Sequence, residues 1–264
     1  MTGVAVITGA ASGIGAGLAR AACARGMAVA LADWNAEALE EIAGTLTGDV
    51  AFRKTDVRNE ADLTALADLA YDCFGQVDLL FNNAGVLSSG RAWEIDAETW
   101  KRSFDVNVLG VVNGLRAFVP RLIEAARPAR IVNTASVGGF FAGPLMSPYS
   151  ASKAAVVSLT EALVQELAKT ADFIEVSLLA PGPVKTGILG EEAREESSRL
   201  VEKMREMSQQ LGADPDEYAR LIFEAIDRKE FWIVPQPQSL DPRLVERTEM
   251  ILERRTPGTT GKKG

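Results

Sequence analysis

Thr8-Gly9-Ala10-Ala11-Ser12-Gly13-Ile14-Gly15 is the stretch on which the fold turns. An apolar run over 4–8 precedes it, and an amphipathic run over 13–25 follows it. That is a buried strand, a tight glycine turn and a helix start. Glycines here let the backbone turn sharply. They also let a pyrophosphate approach the helix N-terminus, where free N–H groups and the helix dipole favour negative charge. Taken alone, the loop also reads as an ordinary glycine-rich turn between strand and helix.

Outward from this loop the same alternation continues. Strand-like runs fall at 4–8, 27–32, 50–54, 77–82, 130–134, 174–179 and 231–234. Helix-like stretches lie between them at 13–25, 35–46, 60–74, 96–126, 148–170, 188–211 and 215–228. Most of the strand runs are too apolar to present a solvated face, the mark of parallel strands covered on both sides. Alternation at this spacing predicts an α/β, doubly wound parallel sheet with helices on both faces. No linker or repeat interrupts it, so residues 1–255 read as a single domain. Asp96 and Asp214 are suited to capping helices, the latter followed by Pro215 at the first helical position. Beyond Pro235 the pattern weakens. A short helix is expected over 242–255, and 256–264 reads as a disordered tail.

Composition narrows the chemistry. The 264 residues include no histidine, and 28 Lys+Arg stand against 36 Asp+Glu for a net charge of −8. Ser-His-Asp and Cys-His nucleophiles are therefore excluded, as is a histidine-ligated metal, and no metal site is expected. Proton transfer near neutral pH has to use a carboxylate, lysine, tyrosine, cysteine or water. The acidic balance argues against a nucleic-acid partner. Cys23 and Cys73 read as two buried thiols in a reducing compartment, with one disulfide as the alternative. Met1-Thr2-Gly3 runs directly into a strand-like segment without a basic region and apolar run, so no secretory signal is read. The apolar stretches read as too short for a membrane span, and the expectation is a soluble, cytoplasmic chain without a membrane partner.

Asp33 sharpens the reading of the loop. It lies 18 residues beyond Gly15, at the end of the second strand-like run. A carboxylate there accepts hydrogen bonds from adenosine ribose hydroxyls and repels a 2′-phosphate. Ser12, Trp34 and Asn35 occupy the places where an Arg or Lys would serve NADP. The cofactor expected is NAD rather than NADP. Capping of the helix that starts near Asn35 is the competing role for Asp33.

The spacing Thr8-Gly9 … Gly13-x-Gly15 resembles the Thr-Gly-x-x-x-Gly-x-Gly signature of the short-chain dehydrogenase/reductase family. The other motifs of that family follow in order over roughly residues 3–186. Asp56-Val57 follows the third strand, and Asn82-Asn83-Ala84-Gly85 the fourth. Asn107 lies in the next helix and Ser136 follows the fifth strand. Tyr149-Ser150-Ala151-Ser152-Lys153 matches the Tyr-x-x-x-Lys pair, and Pro181-Gly182-Pro183-Val184-Lys185-Thr186 follows the sixth strand. The resemblance implies a Rossmann-type fold and an NAD(H)-dependent oxidoreductase that interconverts a secondary alcohol and a ketone. It also implies a site. Ser136, Tyr149, Lys153 and Asn107 would be catalytic. Tyr149 would exchange the proton with the substrate oxygen and Ser136 would hydrogen-bond that oxygen. Lys153 would hold the nicotinamide ribose, and Asn107 a water leading to solvent. Gly9, Ser12, Gly13, Ile14, Gly15, Asp33, Val57, Asn83, Ala84, Gly85, Pro181, Gly182, Val184 and Thr186 would line the cofactor, and Asp56 would meet the adenine amino group. Asn82 and Asn83 read as mainly structural. The resemblance departs after the last strand, where Pro235-Gln236-Pro237-Gln238 replaces the common Asp-Gly-Gly stretch.

Tyr149 and Lys153 lie four apart, on one helix face. A free phenol titrates near 10. A neighbouring ammonium and a cationic nicotinamide ring would both lower it, making an acid/base pair without imidazole. The substrate is expected at the carboxyl ends of the strands. Val137, Gly138, Phe140, Phe141 and Met146 belong to an apolar loop without a cation of its own, and Ile188 opens an amphipathic lid over 187–212. An apolar or aromatic small-molecule alcohol or ketone follows, although Phe140 and Phe141 equally suit packing under the loop. Arg91 is the nearest anion contact. A sugar- or polyol-acting enzyme, a non-catalytic NAD-binding regulator and a lyase-type relative are the competing readings. The intact Tyr–Lys pair counts against the regulator, and the glycine loop and lysine count against the lyase. The long apolar-faced stretches 96–126 and 148–170 resemble the family's subunit contacts, so a homodimer or homotetramer is expected.

Overall fold

In the computed structural model, seven parallel strands form one sheet in the order β3-β2-β1-β4-β5-β6-β7. The structure describes residues 3–184, 202, 206 and 212–257. The strands are β1 (Val4–Thr8), β2 (Ala28–Asp33), β3 (Val50–Lys54), β4 (Leu79–Asn82), β5 (Ala129–Thr134), β6 (Ile174–Leu179) and β7 (Trp232–Ile233). The order reverses between β1 and β4, which opens a crevice at their carboxyl ends. The helices are α1 (Gly13–Ala24), α2 (Ala36–Thr45), α3 (Glu60–Phe74), α4 (Ala97–Phe104), α5 (Gly110–Ala125), α6 (Ser147–Thr170), α7 (Pro215–Asp227) and α8 (Pro237–Leu252).

The alternation along the strands explains the two layers. In β1, Ala5 and Ile7 face one side and pack with Leu18, Leu31, Phe81, Ile222 and Phe223, the layer covered by α1 and α7. Val6 faces the other, with Leu80 and Ile131 and with Leu63, Leu66, Phe118 and Leu167 from α3, α5 and α6. Both faces are dry, so the strands read as nearly unbroken apolar runs. The edge strand β3 is the exception: it is largely exposed, with Phe52 at 45%. An edge has one neighbour and less cover, and Arg53 and Lys54 suit that position.

Asp96 caps α4 through Thr99 N (2.7 Å), and Asp214 caps α7 through Asp216 N (2.9 Å). Several expectations need correction. The last helix starts at Pro237, not Pro242, because Pro237 sits in the first turn where no N–H is required, and Pro242 is carried inside the helix. Cys73 is exposed near the end of α3 rather than buried, and Cys23 is half-buried; both are free thiols. Residues 97–125 form one helical body long and apolar enough to cross a membrane, with mean hydropathy 1.3 in its best window. Val111, Ala117, Phe118 and Leu122 of this body are buried in the fold. Most of the expected lid over 187–212, and the tail from 258 onward, lie outside the described residues.

Candidate active site

The glycine loop is built for close approach. Gly9 has φ +68° and Gly13 φ +51°, backbone that glycine adopts without strain. A Cβ on Gly15 would lie 1.9 Å from the Gly9 carbonyl oxygen and 2.9 Å from Asn83 Nδ2. Ser12 precedes α1 in an extended conformation and its side chain makes no capping bond. The first-turn N–H groups of α1 are thus left for an anion. Thr8 Oγ1 accepts from Asn83 N (2.9 Å) and Ala84 N (3.1 Å), and Asn83 Nδ2 donates to Thr8 O (3.0 Å). Asn82 Nδ2 donates to Asn133 Oδ1 (2.9 Å). The asparagines therefore tie β4 to β1 and β5, as their structural reading held.

Asp33 is 9% exposed at the end of β2. Its Oδ2 accepts from Ala11 N and its Oδ1 from Asn35 N, each at 3.0 Å. The capping of α2 falls to Asn35, whose Oδ1 accepts from Ala38 N (3.2 Å). Asp33 instead braces the glycine loop against the β2–α2 turn, and its carboxylate keeps lone pairs for further donors. Asp56 is engaged with Arg58. Its carboxylate takes Arg58 N (3.0 Å) and pairs with the Arg58 guanidinium at 2.6 Å, which holds its pKa below the usual carboxylate value. Val57 is buried, and its carbonyl accepts from Asn113 Nδ2 (2.9 Å).

The groups with acid–base capacity meet beyond β5. Tyr149 and Lys153 stand one turn apart in α6, 8% and 2% exposed. Lys153 Nζ donates to Thr134 O at 2.8 Å. Ser136 Oγ accepts from Gly138 N (3.1 Å), and both it and the Tyr149 ring border Gly138. Burial pushes the Tyr149 phenol up, with the nearby Ser136 hydroxyl acting in the opposite direction. Burial brings Lys153 down to about 8. The expected lowering of the phenol by the ammonium is not seen. The amine is turned to a backbone carbonyl, and both groups are dry, which disfavours each charged form.

Asn107 lies in a π-helical turn, Asp105–Leu109, between α4 and α5. Such turns interrupt helices where a side chain has to be re-aimed. Its Oδ1 accepts from Val86 N (2.8 Å), and its Nδ2 donates to Val86 O (2.9 Å) and Ser152 Oγ (2.9 Å). Ser152 Oγ donates onward to Tyr149 O (2.8 Å). A Cβ on Gly85 would lie 3.3 Å from both Asn107 Oδ1 and Lys153 Nζ, so these groups converge on one bare backbone position. Thr8, Thr134 and Ser152 were not singled out from the sequence. Ser152 had a signal, since it stands three residues after Tyr149 on the same helix; a backbone carbonyl such as that of Thr134 has none.

Gly138 and Val137 form a short 3₁₀ turn, and Val137 N donates to Pro181 O (3.0 Å), joining the loops after β5 and β6. Gly182 N donates to Tyr218 OH at 3.2 Å. Phe140 packs edge-on against Trp232 (5.9 Å between ring centroids) and on a buried cluster, the packing role its sequence also allowed. Met146 bridges to Gly90. A cation does reach this loop: Arg243 of α8 lies over Phe141, 4.7 Å from the ring centroid. Arg91 pairs with Glu94 and lies over Trp93. Lys185, Thr186 and Ile188 lie outside the described residues; Val184 is buried at the last position before them.

A tyrosine–lysine pair, a serine and a bare glycine loop now share one end of a parallel sheet. The family model for short chain dehydrogenases matches residues 3–197. A short-chain dehydrogenase/reductase from Burkholderia phymatum, solved in complex with NAD, superposes with a TM-score of 0.93 at 38% identity, over 99% of this chain and 98% of that one. The apo form of LigD from Sphingobium sp. strain SYK-6 superposes with a TM-score of 0.80 at 31% identity, over 97% and 98% of the two chains. A 1-deoxy-11-beta-hydroxypentalenate dehydrogenase from Streptomyces exfoliatus is 39% identical over 190 residues, covering 70% of this chain and 68% of its own. The chain belongs to the short-chain dehydrogenase/reductase family. It is an oxidoreductase with a Rossmann-type fold.

Proposed function

We propose that this protein interconverts a secondary alcohol and a ketone with NAD(H), with Tyr149 as the acid/base. The observation that carries the reading is the buried Tyr149 beside Ser136 at Gly138, one helical turn from a buried Lys153. The residues present fit a dinucleotide. The N–H groups at the start of α1 are not capped by Ser12, and the backbone at Gly15 has no room for a side chain. In this reading Gly9, Ser12, Gly13, Ile14 and Gly15 hold the pyrophosphate, and Asp33 the adenosine ribose. Asn83, Ala84, Gly85, Pro181, Gly182, Val184 and Thr186 line the nicotinamide half. When bound, the nicotinamide accepts or supplies the hydride.

The chain's own groups handle the proton. Tyr149 takes it from the alcohol oxygen in oxidation and returns it in reduction. Ser136 donates a hydrogen bond to that oxygen and fixes its distance from the phenol. Lys153 binds the ribose hydroxyls and favours the phenolate once it is charged. Asn107 holds the β4–α4 loop against α6 and so fixes Lys153. The substrate is an apolar secondary alcohol or ketone, supported by the apolar loop around Phe141 and Met146 and by the Streptomyces relative named for an 11-hydroxy compound. One domain, 1–255, carries both functions, and the protein works as a homodimer or homotetramer.

Growth of the reduced-nicotinamide absorbance band tests this reading, with NAD or NADP and a panel of apolar alcohols, sugars and polyols. The band grows with NAD and an apolar secondary alcohol. Turnover of sugars or polyols alone would refute the substrate class. Asp33→Ser removes the charge that repels a 2′-phosphate and lowers the NAD over NADP preference in kcat/KM by about tenfold, the order of one charge-assisted interaction. An unchanged ratio would leave Asp33 as a brace for the loop only.

A further inference from the structure

The turn after β6 carries Pro181-Gly182-Pro183, and proline has no backbone N–H. Gly182 therefore holds the backbone donor of this turn. That donor goes to α7, where Gly182 N meets Tyr218 OH at 3.2 Å. Tyr218 is fully buried in the apolar layer under α1 and α7. A hydroxyl in such a layer is unfavourable unless it is hydrogen-bonded, and this one accepts from the turn. Burial pushes the Tyr218 phenol well above its usual value, so it stays a neutral hydroxyl. Its helix is firmly seated. A Cβ on Gly17 of α1 would lie 2.4 Å from the Pro215 carbonyl oxygen, so α1 and α7 approach backbone to backbone one turn before Tyr218. The turn in its own right reaches Ser136: Pro181 O accepts from Val137 N (3.0 Å) and from Ser136 Oγ (3.5 Å). On its far side, a Cβ on Gly182 would meet Gln236 Oε1 at 2.4 Å and Ser239 Oγ at 2.5 Å, both at the start of α8. Gly182 is clasped between two helices, and Tyr218 supplies the hydrogen bond.

We infer that Tyr218 is a positioning residue for the reaction: its buried hydroxyl anchors Gly182 and, through Pro181, sets both the turn after β6 and the Ser136 hydroxyl. The inference rests on the NAD(H) reading, in which Gly182 lines the nicotinamide half. It adds the element that keeps that half in register with the glycine loop. α7 touches both ends, with Pro215 against α1 and Tyr218 against the turn after β6. Tyr218→Phe keeps the ring in the core and leaves the Gly182 N–H without its acceptor. The turn then relaxes away from its place. A small displacement at a reacting centre lowers the rate, because orientation supplies a large part of it.

The test compares wild type, Tyr218→Phe and Ser239→Ala. Calorimetry measures binding of ADP-ribose and of NADH, fluorescence follows the emission of bound NADH, and turnover of an apolar secondary alcohol is measured across pH. ADP-ribose lacks the nicotinamide ring and reports on the other end of the crevice alone. Ser239 Oγ donates within α8 to Gln236 O (2.7 Å), so Ser239→Ala alters the far side of Gly182 without touching its N–H. Tyr218→Phe binds ADP-ribose as wild type does and binds NADH about fivefold more weakly, the scale of one lost hydrogen bond. It also loses much of the blue shift that a fixed, dry ring gives to bound NADH. Its kcat falls about tenfold while the pH profile keeps its shape. Ser239→Ala matches wild type in each measurement. Equal weakening of ADP-ribose and NADH in Tyr218→Phe, or failure of that variant to fold, would make Tyr218 a core residue only and overturn the inference. Normal NADH emission with normal kcat would overturn it as well, as would a flattened pH profile or an equal loss in Ser239→Ala. Failure of wild type to bind either ligand would refute the NAD(H) reading itself, a result distinct from normal NADH handling by Tyr218→Phe.

Discussion

Tyr149→Phe is expected to leave NAD binding unchanged and to lower kcat by about 10³-fold, the scale of a lost general acid/base. The substitution removes one oxygen from a side chain that is 8% exposed, and Phe fills the same space. Ser136 keeps its bond from Gly138 N, so the loop does not depend on the phenol. The pH dependence separates a chemical role from a packing role. Burial pushes the phenol up, and the charged Lys153 supports the phenolate only below its own titration, which burial brings down to about 8. Alcohol oxidation needs the Tyr149 phenolate, so kcat/KM for oxidation rises with pH as it forms, while kcat/KM for reduction falls. In Tyr149→Phe no phenolate forms, and both limbs flatten. Near-normal turnover in the variant, or an unchanged profile, would remove Tyr149 from the chemistry. No histidine is present to complicate the profile.

Gly15→Ala is expected to cost about 1–3 kcal/mol of stability and to weaken NAD binding by up to about a hundredfold. The added methyl would fall 1.9 Å from the Gly9 carbonyl oxygen and 2.7 Å from its carbon, so the loop or α1 has to move. Any movement displaces the N–H groups at the start of α1 from where a pyrophosphate meets them. Gly44→Ala serves as the control. No atom lies within 4 Å of a Cβ there, and alanine is the better helix residue within α2. Thermal unfolding and calorimetry of the two variants measure both effects. Equal melting temperatures and equal NAD affinities would show that the loop accommodates a side chain.

The strands, their parallel pairing and the site motifs were legible because each is a local pattern. An apolar run, a glycine turn or a Tyr-x-x-x-Lys spacing is complete within a few residues. What the sequence did not disclose depends on contacts made at a distance. Asp33 seemed able to cap α2, but Asn35 stands one residue before the helix and takes that bond. The Tyr149 phenol was expected to be lowered by Lys153, yet Thr134 of β5 supplies the carbonyl that turns the amine away. Arg243 lies over a hundred residues from Phe141 in the chain and covers its ring only because α8 folds back. Pro242 looked like a helix start because Pro237, five residues earlier, occupies the first turn without showing its register. The exposed Trp34 was legible only as the absence of a cation. Its freedom from packing is a property of the folded chain.

The account rests on hydride transfer between a carbinol carbon and the nicotinamide ring, with the proton handled separately by Tyr149. The most direct measurement uses an apolar secondary alcohol deuterated at the carbinol carbon, incubated with the protein and NAD, followed by mass spectrometry of the reduced cofactor and the ketone. The account predicts one deuterium in the reduced nicotinamide, at ring C4, and none in the ketone carbonyl or released to water. Deuterium released to solvent, or ketone formed with the cofactor left oxidised, would contradict it.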